Sequence, residues 1–138
     1  MPFASLRTAI ETKLQGITAL KAVYDVHTPA IKGYPAATFE PSGHENIFYT
    51  NTDNLRSYAF DIWIHQEMKF AGRDNAVRIL SDIVDAVVTA FDTDYNLGGA
   101  CDFLVALPSS WGEYVGDQGA VKFATLTLVC KSEIQVGT

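Results

Sequence analysis

Between Leu55 and Met68 the side chains alternate with a period of two. Tyr58, Phe60, Ile62 and Ile64 fall on one side, and Ala59, Asp61, Trp63 and His65 on the other. A helix would scatter those four apolar residues around its circumference, so the run commits the chain to a sheet with at least one dry face. The period then changes. Ala76, Ile79, Leu80, Ile83, Val84, Val87, Val88 and Phe91 recur three and four residues apart, with Asp74, Arg78, Asp82 and Asp85 off the stripe. This predicts a helix over 72–91. Its many β-branched residues lower its intrinsic stability, so it must depend on packing against the sheet.

The remaining segments fill in the layers. Leu6, Ala9, Ile10, Leu14 and Ile17 predict a first helix that ends near Gly16. Short β-rich runs follow at 22–27 and 34–40. Pro35 places the start of the second at a strand end or an edge. Residues 41–54 are polar and turn-rich around Ile47, Phe48 and Tyr49, which reads as a long loop or a hairpin arm. A strand is predicted over 102–107, then a Pro- and Gly-rich loop over 108–119 carrying Trp111 and Tyr114, then a long strand over 120–136. On that last strand Ala124, Leu126, Leu128 and Cys130 share one side, and Phe123, Thr125, Thr127 and Val129 the other. Neither side is strongly polar, so both faces are expected to be partly covered. The order predicts an α+β fold: one mostly antiparallel sheet with two helices packed on one face. At 138 residues the chain is one domain's worth.

Composition narrows the function by exclusion. Ten Lys and Arg against sixteen Asp and Glu give a net charge of −6, without the basic footprint of a dedicated nucleic-acid binder. No apolar run approaches the ~20 residues of a membrane helix, and no secretory signal is expected at the start. Cys101 and Cys130 form no CxxC, so a structural zinc site is not expected. Centring the last hairpin between Val115 and Gly116 would set these two cysteines opposite each other; in a chain that reads as cytoplasmic, they are expected to stay thiols.

Tests for catalysis find little. His65 and Glu67 share a strand face, but a metal site would need a third ligand from His44 or Glu45, and none is expected. Asp61 beside Trp63 has no nucleophile motif with it, and Ser109-Ser110-Trp111-Gly112 lacks the nucleophile elbow. No phosphate-binding glycine loop occurs. No catalytic residue, cofactor or metal is expected. Phe48, Tyr49, Trp111 and Tyr114, read in loops, are candidate contact anchors. With only two helices, one sheet face is left half-apolar, and self-association into a ring would cover it.

The layout resembles the tail terminator (tail-completion) proteins of long-tailed, lambda-like siphophages. The resemblance runs from Leu6 to Val136. It rests on the early helix, Tyr34-Pro-Ala-Ala-Thr-Phe-Glu40 leading into a polar loop, Ser57-Tyr-Ala-Phe-Asp-Ile-Trp-Ile64, the helix Ala76 to Phe91, and Phe123-Ala-Thr-Leu-Thr-Leu-Val129. It implies a non-enzymatic virion subunit that forms a ring, expected to be hexameric. That ring would cap the tail tube at its head-proximal end, stop its growth and offer a surface to the head–tail connector. Assembly would take place in the host cytoplasm, and DNA would pass through the pore without specific binding; the acidic balance suits such a lumen.

On that reading Asp61, Trp63 and His65 are assigned to the subunit–subunit face. Ile47, Phe48, Tyr49, Trp111 and Tyr114 are assigned to contacts with the tube or connector. Competing expectations are a head-completion or head–tail connector subunit, a small-ligand-binding domain or enzyme using the Asp61/His65 face, and a generic α+β domain that dimerises through its open sheet face.

Overall fold

The computed structural model describes residues 3–28, 30–48, 53–116 and 119–135. Its elements in chain order are α1 (Phe3–Gln15), β1 (Ala22–Tyr24), β2 (Ala36–Phe48), β3 (Asp53–Glu67), α2 (Arg73–Asp92), a 3₁₀ turn (Leu97–Gly99), β4 (Phe103–Gly116) and β5 (Gly119–Gln135). The strands form one sheet in the order β1-β2-β3-β5-β4. Every neighbouring pair is antiparallel except β1 and β2.

The alternating run is the spine of that sheet. β3 pairs without interruption with β5, from Asp53 opposite Gln135 to Glu67 opposite Val121. Tyr58, Phe60, Ile62 and Ile64 are buried, as are Ala124, Leu126, Leu128 and Cys130 beside them. Both helices lie on this face. α1 contributes Leu6, Ile10 and Leu14, and α2 contributes Leu80, Ile83, Val84, Val87 and Phe91. The fold is α+β, with the two helices on one side of a mostly antiparallel sheet, and α2 seals its charged side chains off the core as its stripe requires. No described helix is long and apolar enough to cross a membrane.

Both flanking strands carry a β-bulge beside a proline. In β2 the register shifts between Pro41 and Gly43. In β4 it shifts between Pro108 and Trp111, so that Ser109 and Ser110 together oppose Thr125. The Thr125 hydroxyl lies 2.6 Å from Ser109 Oγ and 2.9 Å from Ser110 Oγ and accepts the Ser110 N–H at 3.0 Å, which satisfies the interrupted ladder. Proline is tolerated at both places because each stretch is a sheet edge: β4 pairs only with β5, and β2 has run past the end of β1.

Two expectations are corrected here. Residues 108–116 are not a loop; β4 continues through Pro108 to Gly116, and Trp111 and Tyr114 are strand residues. The proline signal read as a break marks a bulge instead. The last hairpin is also offset from the expected register. Gly116 pairs with Gly119, so Cys130 stands opposite Leu104 rather than Cys101. Cys101 precedes β4, and its sulfur still meets Cys130 through a thiol hydrogen bond. Both cysteines are buried and free. Residues 41–48 and 53–60 form two arms of an antiparallel hairpin whose β2 side, Pro41 to Asn46, is exposed.

Candidate functional site on the helix-free face of the sheet

The second face of the sheet gathers its polar and aromatic residues at one end. The register sets Ala36, His65, Phe123 and Gly112 in one row, and Thr38, Trp63 and Thr125 in the next. The row beyond holds Glu40, Asp61 and Thr127. The β4 bulge then determines what joins them. Before it, Phe103, Val105 and Leu107 share this face; the extra residue reverses the alternation, so Gly112 and Tyr114 face the same way afterwards.

These residues form a continuous hydrogen-bonded chain. Tyr114 is hydrogen-bonded to Tyr34. Its hydroxyl lies 2.7 Å from His65 Nδ1. His65 Nε2 lies 2.9 Å from Thr38 Oγ1, which lies 2.8 Å from His27 Nδ1. The His27 backbone N–H donates to Glu40 Oε1 at 3.0 Å, fixing the segment that follows β1. His27 Nε2 is buried and has no partner among the described residues.

Burial decides the protonation of this chain. His65, 4% exposed, has its pKa lowered to about 4 by desolvation, with the neighbouring His27 adding to the shift. Desolvation also lowers His27, against the opposing pull of Glu40 and Asp61. Burial, followed by Tyr34, pushes the Tyr114 hydroxyl above the usual phenol range. At neutral pH each member therefore holds one hydrogen to donate, and two arrangements run the whole chain in a single sense. Either Tyr34 donates to Tyr114 and each group donates onward, leaving an N–H on His27 Nε2, or His27 Nδ1–H donates to Thr38 and each group donates back to Tyr34, leaving His27 Nε2 as a bare acceptor.

Aromatic rings wall the chain. Trp63 stacks on Phe123 at 4.9 Å and 7°, His27 lies 5.0 Å from Trp63, and Tyr114 meets His65 edge-on at 5.6 Å. Between them lies a cleft of about 230 Å³ lined by His27, Thr28, Trp63, His65 and Tyr114. A larger depression of about 500 Å³ lies between α1 and the end of α2, where Lys13 and Asp94 form a 2.9 Å ion pair; it gathers no comparable set of polar groups.

The residues singled out from sequence are redistributed. Trp63, His65 and Tyr114 come together although they were assigned to different surfaces. His65 is hydrogen-bonded within the protomer to Thr38 and Tyr114, and it reaches the surface as part of the cleft wall. Asp61 lies one row away and accepts a long 3.4 Å bond from Thr127. Trp111 pairs with Ala124 and so faces the helix side, opposite to Tyr114. It is 43% exposed. Ile47 and Phe48 end β2 opposite Leu55 and Asn54, and Tyr49 lies outside the described residues. His44 stacks on Tyr58 on the other face, seven residues along β3 from His65, so those two histidines cannot share a ligand. Among the described residues no group of His, Cys, Asp and Glu side chains is arranged to hold a metal ion. Sequence reasoning missed His27, Thr38 and Glu40. Thr38 and Glu40 could have been found from the alternation of β2, whereas His27 lies beyond β1 with no periodic neighbour.

Comparison with known proteins supports the architecture. No protein-family model and no curated protein matches the sequence. Among solved structures, a chain of the virion of a native gene transfer agent particle is similar in fold. The match has a TM-score of 0.52 at 15% identity and covers 97% of both chains. At that identity the likeness is one of fold.

Proposed function

We propose that this protein is a non-enzymatic structural subunit of a phage-type virion, and specifically a tail terminator. It would form a ring, hexameric by analogy with the family it resembles, that caps the tail tube, ends its polymerisation and receives the head–tail connector. The observation that carries this reading is the end-to-end fold match to a chain of a gene transfer agent virion. The match covers 97% of both chains, so the likeness extends over both helices and the whole sheet.

The exposed apolar residues support assembly. Phe103, Val105 and Leu107 form a stripe on the helix-free face of β4, each 42–50% exposed, along an edge strand whose outer backbone is unpaired in the sheet. Such an edge is a template for a neighbouring chain. We assign the subunit–subunit contact to this stripe. The tube or connector contact goes to Ile47, Phe48 and Tyr49, and to Trp111 and Val115 on the helix side of β4. DNA would pass through the lumen without specific contacts.

The test is the solution mass of the protein across concentration, alone and with a purified tail-tube protein, followed by tube lengths in electron micrographs. A mass approaching six subunits on the tube, with shorter tubes at higher protein concentration, is the expected result. Capture of a connector protein instead of the tube would move the assignment to a head–tail connector subunit. A monomer that leaves tube length unchanged would overturn the reading.

A further inference from the structure

We infer that the His27–Trp63–Tyr114 cleft is a binding site for the guanidinium group of an arginine presented by a different protein. Three observations carry this, and none depends on the terminator reading. First, the walls are aromatic: Trp63, Tyr114 and the two imidazoles line the cleft, and Phe123 backs Trp63. Aromatic rings attract cations through their electron-rich faces, and arginine is the cation most often found there. Second, the charges that act on His27 from the same sheet face are both negative, Glu40 and Asp61. An anionic ligand would meet repulsion, while a cation gains. Third, His27 Nε2 is a buried nitrogen without a partner among the described residues. When the chain runs from His27 towards Tyr34, this nitrogen is a bare acceptor, and the N–H fork of a guanidinium supplies the donor it lacks. The two neutral imidazoles do not repel the incoming charge.

The arginine has to come from elsewhere. The chain has only four, Arg7, Arg56, Arg73 and Arg78. Arg73 is paired with Glu113 at 3.0 Å, and Arg56 donates to Asn46. Arg7 lies one helical turn from Glu11, and Arg78 lies one turn from both Asp74 and Asp82. A second copy would bring another net charge of −6 against an acidic face. A basic surface of another protein is the complementary occupant.

The experiment titrates the intact protein with N-acetyl-arginine amide. It follows the Trp63 indole N–H and the ring nitrogens of His27 and His65 by NMR, with N-acetyl-glutamate amide as the opposite-charge control. The expected result is saturable movement of all three rings with the arginine probe and none with the glutamate probe. Affinity should fall roughly three- to tenfold in Glu40→Gln and Asp61→Asn, and again in Trp63→Leu. The two charge variants keep the test decisive if Trp63→Leu fails to fold. No saturable movement, equal movement with both probes, or unchanged affinity in the charge variants would overturn the site. A self-associated form that dissociates on adding the arginine probe would overturn the assignment to a different protein.

Discussion

Gly112 stands directly across the β4–β5 ladder from Phe123, and the Phe123 ring lies where a side chain at 112 would have to go. A Cβ built on Gly112 would sit 2.7 Å from Phe123 Cζ and 2.9 Å from Cε1. The same ring stacks flat on Trp63. A bare backbone at 112 thus lets the aromatic wall of the cleft lie against the sheet.

Gly112→Ala should therefore destabilise the protein by about 1–3 kcal/mol, as overpacking does. Pairing it with Phe123→Leu should recover part of that loss. Chemical denaturation of the single and double variants measures the coupling directly. Strictly additive effects would show that the ring has room to move aside.

Acid should weaken the fold through His65. Its folded pKa of about 4 lies below the ordinary value of 6.5, so the unfolded chain binds the extra proton more readily. The stability that follows from keeping this imidazole neutral is fully present above pH 6.5 and is lost as the pH falls towards 4. The loss should be on the order of 3 kcal/mol. His27, shifted in the same direction, adds to the slope. Denaturation midpoints between pH 7 and 4, for the native protein and for His65→Gln, are the check; the variant should show a flatter profile.

Leu107→Lys should leave the monomer's stability within about 0.5 kcal/mol, because the side chain is half exposed. It should weaken self-assembly at least tenfold if the β4 stripe meets a neighbour. Trp63→Ala offers the contrast: it should weaken partner capture by about 2 kcal/mol or more while leaving self-assembly intact. Sedimentation and capture assays on both variants separate the two surfaces.

Both cysteines are buried and should be slow to react in the folded protein; the hydrogen bond with Cys130 favours the Cys101 thiolate, but burial keeps a reagent away from it. Hydrogen bonding to Cys101, together with burial, pushes the Cys130 thiol up, so little of it is thiolate at neutral pH. A thiol reagent should find two groups promptly in denaturant and react far more slowly under native conditions.

The layers of this protein are written in its periodicity. The two-residue alternation of β3 and the broad stripe of α2 are each strong enough to fix an element and its buried face, and Leu6, Ile10 and Leu14 do the same for α1. The course of β4 was not legible, because Pro108 and two serines imitate a turn and only the pairing partner Thr125 reveals a bulge. That one misreading also moved Trp111 and Tyr114 into a loop and shifted the hairpin register. The cleft was half legible. Trp63 and His65 stand next to each other on one face of β3, but Tyr114 reaches them from the far edge and His27 from beyond β1. Those meetings depend on strand order, which local pattern does not encode.

The bulge at Ser109 and Ser110 holds one residue more than the facing strand, and that extra residue sets which side of the sheet each later side chain of β4 reaches. Had the ladder run straight through both serines, every residue beyond them would be paired one place further along β5, with Tyr114 on the helix side and Trp111 on the cleft side. Deleting one serine, by contrast, leaves a regular ladder in which Trp111 still meets Ala124 and Gly112 still meets Phe123. The cleft therefore tolerates loss of the bulge residue, but not a chain of this length that fails to bulge.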